Sequence, residues 1–504
     1  MSGDRQFVTQ FVCIHGHFYQ PPRENPWSGR VERQESAQPY HDWNDRITAE
    51  CYAPNAQARI LDKRGRLLAT QNNYARISFD FGPTLLSWLQ AEAPQVYAAV
   101  LAADRSAHGA MAQAYSHMIL PLANARDRAT QVIWGSRDFV HRFGREPTGM
   151  WLPETAENLA TLEDLATAGI QFTILAPRQA RRVRRFGSRQ WQDVAGGRVD
   201  CRFPYEVRLP SERRIAVFFY DAAIAQDVAF GGLLHDGHHL ATRLAEAGGS
   251  RRREPQLTSV ATDGESYGHH HRFGEMALAS ALRSLIARPE VALSNYRAFL
   301  ATHPPVREVE IVENSSWSCV HGLERWRSDC GCNSGGRPGW HQAWRAPLRA
   351  ALDWLRDQLA PAYQHAAAQL LWNAWSARND FIELVLDESP KVAAAFLARH
   401  ARYPLNAREQ ERVWSLLQVQ RHAMLMYTSC GWFFDDVSGI ETAQILSYAA
   451  HAIDLAAAAL DLSLESEFAR RLEAAPSNDP RWGNARAVYE AQLRRRPHGG
   501  DQAG

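Results

Sequence analysis

Leu257-Thr-Ser-Val-Ala261 runs without a break into Thr262-Asp263-Gly264-Glu265-Ser266-Tyr267-Gly268-His269. The first five residues read as a short buried strand, and the loop that it feeds carries two acids, a tyrosine and a histidine. The same grammar recurs upstream. Phe11-Val-Cys-Ile-His15 leads into Gly16-His17-Phe-Tyr-Gln20-Pro21, Arg76-Ile-Ser-Phe-Asp80 ends on an acid, and Gly149-Met-Trp151-Leu-Pro153 is followed at once by Glu154. Phe172-Thr-Ile-Leu175 and Ile215-Ala-Val-Phe-Phe219 are two further apolar runs of strand length. Helical patterns lie between the runs, over 124–143 and 158–168. Strand and helix in alternation imply parallel strands with helical crossovers, in a barrel or a doubly wound sheet. In parallel barrels the reactive groups stand at the C-terminal strand ends, so an acid placed there outweighs an ordinary surface carboxylate.

From about Arg337 the pattern changes. Leu348, Leu352, Leu355 and Leu359 paint one helical stripe, and Ile445, Tyr448, Ala449, Ala452 and Ile453 paint another. The expected organisation is an α/β domain over 1–335, a helical domain over 336–495 and a disordered tail over 496–504. Basic and acidic residues balance at 56 and 55, for a formal charge of +1, which predicts neither a nucleic-acid nor an anionic-membrane partner. Of the basic residues only Lys63 and Lys391 are lysine. The run Arg181-Arg-Val-Arg-Arg185 reads as a solvated helix face, and 247–255 as a solvated loop. The first eleven residues lack the apolar segment of a signal peptide, and no run of eighteen apolar residues follows. Seven scattered cysteines, an odd number in a long chain, argue against a disulfide framework and for a reducing cytoplasm. Cys330-Gly-Cys332 reads as two chance neighbours in a loop, because no second pair stands at zinc-finger spacing.

Glu154 and Asp263 suit a carboxylate pair that cleaves glycosidic bonds, one attacking the anomeric carbon and the other moving the proton. In their order along the chain the motifs resemble those of glycoside hydrolase family 57, whose members act on α-glucans and related α-linked sugars. Five stretches carry the resemblance: His15-Gly-His17-Phe-Tyr-Gln20-Pro21, His117-Met-Ile-Leu-Pro121-Leu, Gly149-Met-Trp151-Leu-Pro153-Glu154, Asp263-Gly-Glu265-Ser-Tyr267-Gly268-His269 and, most loosely, Ser316-Trp317-Ser-Cys-Val-His321-Gly322. The resemblance implies an incomplete (β/α)7 barrel followed by an α-helical C-terminal domain, a retaining mechanism, Glu154 as nucleophile and Asp263 as acid/base. It further resembles a subgroup with an uncharacterised helical domain, in which Cys430-Gly431-Trp432 stands where other members carry Ser-Asp-Trp.

The predicted sugar contacts are His15, His17, Asp80, His117, Trp151, Glu265, His269 and Trp432. Trp151 and Trp432 are expected as stacking platforms, Glu265 as the group that orients Asp263, and Asp435 and Asp436 as acids beside a sugar site. The substrate partner is an oligo- or polysaccharide, and no metal or other cofactor is predicted. His269-His-His271 resembles a metal run, but adjacent residues of a strand point to opposite faces. Two rival readings remain open: a metal-dependent carbohydrate deacetylase or α-mannosidase, with His15, His17, Asp80 and His117 around a cation, and a non-catalytic glucan-binding protein.

Overall fold

A computed structural model describes residues 10–248 and 254–496. Most of the predicted 247–255 loop, and the predicted tail beyond Arg496, lie outside the described residues. By its contacts the chain divides into two compact units. The first comprises Met1–Gln20, Arg33–Ala114 and Phe139–Trp317; the second comprises Pro21–Glu32, Tyr115–Asp138 and Ser318–Gly504. In this division the last segment of the helical unit begins at Ser318, and two early segments, Pro21–Glu32 and Tyr115–Asp138, group with it.

Seven parallel strands form the frame of the first unit. In chain order they are β1 (Gln10–Phe18), β2 (Ser78–Phe81), β3 (Ala110–Gln113), β4 (Met150–Trp151), β5 (Phe172–Leu175), β6 (Arg214–Phe219) and β7 (Gln256–Asp263). β1 lies between β7 and β2, and β3 and β4 continue the sheet beyond β2. A parallel bridge from Gly149 to Phe172 carries it across to β5, which pairs with β6. A Cβ at Gly149 would stand 2.3 Å from the Phe172 ring, so this close approach requires glycine. Among the described residues no ladder joins β6 to β7, although the Asp221 amide donates to the Ser259 carbonyl at 2.7 Å. This is an incomplete (β/α)7 barrel. Val12 to Phe18 of β1 are all buried, as expected for a parallel strand covered on both faces.

Crossover helices follow the strands, among them Pro94–Ala107, Leu159–Thr167 and Gly237–Glu246. Asn158 caps the second of these by accepting the Thr161 amide at 2.8 Å. The arginine run 181–185 is not helical. It lies in the strand Ala180–Arg185, antiparallel to Arg307–Ile311, where Arg182 pairs with Glu310 and Arg184 with Glu308. Its alternating arginines therefore serve cross-strand ion pairs.

The second unit is helical. Its longest members are Arg345–Leu370, Ala407–Leu425 and Ile440–Leu460. Leu348, Leu352, Leu355 and Leu359 are fully buried on the first of them, as their spacing predicts. Ile440–Leu460 is long and apolar enough by length and composition to cross a membrane, with a mean hydropathy of 1.2 in a window of which half is buried. The early segments are tied to helices of this unit by specific bonds. Trp27 Nε1 donates to Asp454 at 2.9 Å, and Arg378 pairs with Asp127 at 2.6 Å. These links explain why pieces distant in sequence belong to this unit.

Candidate active site

The ends of β2, β1 and β7 are neighbours, and their register sets His17 between Asp80 and Asp263. His15 and His17, two residues apart on a strand, share one face. Asp80 engages both: its Oδ1 lies 3.0 Å from His15 Nε2, and its Oδ2 lies 2.8 Å from His17 Nδ1. The second nitrogen of His15 faces Ser78 Oγ at 3.1 Å. Both imidazoles stack on Trp151, with centroids at 5.0 and 4.9 Å. Trp151 meets the edge of Trp317 at 5.0 Å. Trp317 then donates its indole N–H to Glu154 Oε2 at 3.1 Å, while its backbone N–H donates to the Glu154 carbonyl at 3.0 Å. One continuous set of contacts therefore runs from Asp80 to Glu154.

The turn that presents Glu154 is strained. Pro153 opens a single 3₁₀ turn in which Glu154 has φ 59° and Thr155 φ 48°, both left-handed and neither glycine. Such geometry persists only where neighbours over-determine it. Gln179 does so for Thr155, accepting from its hydroxyl at 2.8 Å and donating to its carbonyl at 2.8 Å. Trp317 does so for Glu154 through the two bonds already described.

The charges are arranged by environment. Asp263 ends β7 with solvent access on one side and close-packed protein on the others. That crowding raises its pKa to about 6; His17 opposes the rise, while Glu154 and Asp80 add to it. Burial likewise raises Glu265 to about 7, against the hydrogen bond from Tyr52 and with a contribution from Asp263. Glu265 also accepts the Tyr19 amide at 3.2 Å. Burial disfavours the charged form of His17, but the charge and hydrogen bond of Asp80, with Asp263 and Glu265, outweigh it and raise the pKa to about 9. Burial would raise Asp80 too, yet the two imidazoles hold it below the usual carboxylate range. For His15 burial dominates, and its pKa falls. At neutral pH the row thus reads as neutral His15, anionic Asp80, cationic His17 and a readily protonated Asp263.

The first unit therefore brings together Glu154, Asp263, Glu265, His15, His17, Asp80 and Trp151. Three of these differ from expectation in what they can touch. His15, Asp80 and Trp151 have no exposed surface. Trp151 is covered by two imidazoles and by Trp317, so it offers no face to a sugar; it positions His17 and Trp317 instead. His269 lies apart, paired with Glu50 beside a cavity of about 650 Å³ lined by Tyr40, Arg46 and Arg272. Its neighbours diverge from it. His271 is in hydrogen-bond contact with the Ala229 carbonyl, and burial, reinforced by His269 and His271, lowers His270 to about 4.

Two predicted residues belong to the second unit. His117 is buried there, with Nδ1 2.6 Å from Ser429 Oγ. Trp432 is wholly buried, stacked parallel to Tyr427 at 6.2 Å, with Arg349 over its ring at 4.4 Å and its N–H donated to the Arg345 carbonyl. It is a core residue and not a sugar platform. Asp435 and Asp436 are also taken, by Ser334 and Gly336 and by Ser438, Ser477 and Asn478 respectively. Trp432→Ala is accordingly expected to cost about 3–5 kcal/mol of stability, read as a lowered midpoint in denaturant unfolding. Unchanged unfolding would contradict this placement.

Trp317 carries only a faint sequence signal, since it lies in the loosest of the five motifs. Tyr52 gave no signal at all, because it emerges from a π-helical turn over Thr48–Tyr52. Tyr220, just past β6, packs against Trp317 at 6.2 Å.

An open parallel barrel that carries a raised aspartic acid and a constrained glutamate at its strand ends is the frame of a carbohydrate-cleaving enzyme. The chain belongs to glycosyl hydrolase family 57, whose model matches residues 27–312, more than half of it. A domain of unknown function, DUF3536, matches 340–499. Three solved structures are similar in fold. An exo-type maltose-forming amylase from Pyrococcus sp. ST04 has a TM-score of 0.69 at 15% identity, over 96% of this chain and 91% of that one. A GH57-type branching enzyme from Pyrococcus horikoshii has a TM-score of 0.57 at 14% identity, over 97% and 94%. A 4-alpha-glucanotransferase from Thermococcus litoralis has a TM-score of 0.53 at 12% identity, over 89% of this chain and 60% of that one. No curated protein matches the chain.

Proposed function

We propose that this chain cleaves α-linked glucans or related oligosaccharides with retention of configuration, with Glu154 as nucleophile and Asp263 as acid/base. Asp263 carries the reading: it stands at the end of β7, open to solvent, electrostatically coupled to Glu154, and is raised by its crowded surroundings to about 6. A general acid needs such a proton affinity near working pH. In the first step the Glu154 carboxylate attacks the anomeric carbon as the glycosidic C–O bond breaks, and the Asp263 proton passes to the departing oxygen. In the second step the Asp263 carboxylate takes a proton from water or from a sugar hydroxyl, whose oxygen displaces Glu154. The same covalent intermediate leads to hydrolysis with water and to transfer with a sugar.

Cationic His17 sits between Asp80 and Asp263. There it tempers the rise at Asp263 and helps to stabilise that carboxylate once the proton has gone. Glu265 and Tyr52 fix the loop behind Asp263. The α-glucan assignment rests on family membership and on the activities named for the three similar folds. None of the seven cysteines is joined in a disulfide, and a reducing, cytoplasmic setting is part of this reading.

The pH profile tests this assignment. Asp263 must be protonated in the free enzyme, so kcat/KM is expected to fall about tenfold per pH unit above its pKa of about 6. A glycoside with a leaving group that needs no protonation should flatten this alkaline limb in the glycosylation step. A limb that stays equally steep with such a substrate would remove Asp263 from the role.

A further inference from the structure

Cys319, His321, Cys330 and Cys332 meet in the second unit, with their four ligand atoms within 4.8 Å of one another. We propose that they form a structural zinc site of Cys3His type. The edges fit: Cys319 Sγ lies 4.0 Å from Cys330 Sγ and 3.8 Å from Cys332 Sγ, and Cys332 Sγ lies 3.6 Å from His321 Nδ1. A tetrahedral ion with Zn–S near 2.3 Å and Zn–N near 2.0 Å needs ligand separations of about 3.5–3.8 Å. Three thiolates and one imidazole are soft, tetrahedral zinc donors, and four protein ligands leave no position open for chemistry.

The local backbone brings the donors together. Gly322, at φ 87°, closes a turn by donating its amide to the Cys319 carbonyl. Gly331, at φ 81°, bends the chain between Cys330 and Cys332 so that both thiols reach one point. Between Arg327 and Trp344 the chain has no helix or strand. A stretch of that length without secondary structure is uncommon in a compact domain, and a bound metal would help to order it. The ordered loop in turn donates from Ser334 and Gly336 to Asp435, which fixes it beside the segment that follows Trp432.

Charge gives an independent reason. Arg325 and Arg345 are both buried and form no close ion pair among the described residues; Arg325 acts on the Asp435 carboxylate only at longer range, and that acid is already bonded to Ser334 and Gly336. The guanidinium donors go to the carbonyls of Ser318, Phe433 and Phe434, and Arg345 Nη1 lies 3.9 Å from Cys330 Sγ. Two buried guanidinium groups call for an anion nearby. Zn²⁺ with three thiolates and a neutral imidazole carries one net negative charge at that place. The sequence showed only Cys330 and Cys332, because the other half of the site, Cys319-Val-His321, pairs one cysteine with a histidine rather than a second cysteine.

The test is metal analysis of the full chain, purified from zinc-supplemented medium under reducing conditions. About one zinc per chain is expected, with an X-ray absorption shell of three sulfurs and one nitrogen. Cys330→Ser and Cys332→Ser should lose it. Because a thiol variant can fail to fold, His321→Ala is the control: His321 is exposed, and this variant should fold while binding zinc at least about tenfold more weakly. Wild-type protein that holds no zinc and takes up none, or a disulfide between two of the three cysteines by mass, would overturn the proposal. So would zinc bound normally by His321→Ala.

Discussion

Glu154→Gln is expected to lose at least roughly 10⁴-fold in kcat while remaining folded, since the change removes the attacking carboxylate and keeps its volume. The variant retains an oxygen for the Trp317 indole, so the strained turn at φ 59° should survive. Thermal melting and circular dichroism check the fold, and turnover on a maltooligosaccharide checks the chemistry. Azide added to Glu154→Ala should restore turnover by entering where the carboxylate stood, giving a glycosyl azide of inverted configuration. Near wild-type activity in Glu154→Gln would end the assignment.

Asp263→Asn is expected to fall about 10²–10⁴-fold on natural glucans, the usual contribution of a positioned acid/base. The loss should shrink on substrates with good leaving groups, because their departure needs no proton. The alkaline limb near pH 6 should vanish with the carboxyl that causes it. Azide should here yield product of retained configuration, since Glu154 still forms the first bond. An equal loss on good and poor leaving groups would make Asp263 a structural residue.

The barrel was legible because six of its strands are short apolar runs, four of which lead into reactive side chains. The seventh, β3, was not: Ala-Met-Ala-Gln carries little strand preference and is held in place by its neighbours on either side. The placement of Glu154 and Asp263 at strand ends was legible because each closely follows such a run. What stays hidden in a sequence is which way a ring faces and what covers it. Trp151 and Trp432 look alike as aromatic residues beside acids, yet one is enclosed by imidazoles and the other by helices. Asp80 similarly gave no hint that each carboxylate oxygen meets a different histidine. The arginine run failed for another reason, since five residues cannot distinguish a helix face from a strand whose partner lies more than a hundred positions away.

The covalent intermediate is the central claim. A 5-fluoro-α-glycosyl fluoride should slow both steps yet leave the first faster than the second, so that the glycosyl-enzyme accumulates. Mass spectrometry of the intact chain, followed by mapping of its proteolytic peptides, then locates the sugar. The account predicts one glycosyl group per chain, esterified to Glu154 and absent from Glu154→Gln. A label on Asp263 or Glu265, or turnover of the reagent with no adduct and an inverted product, would contradict it.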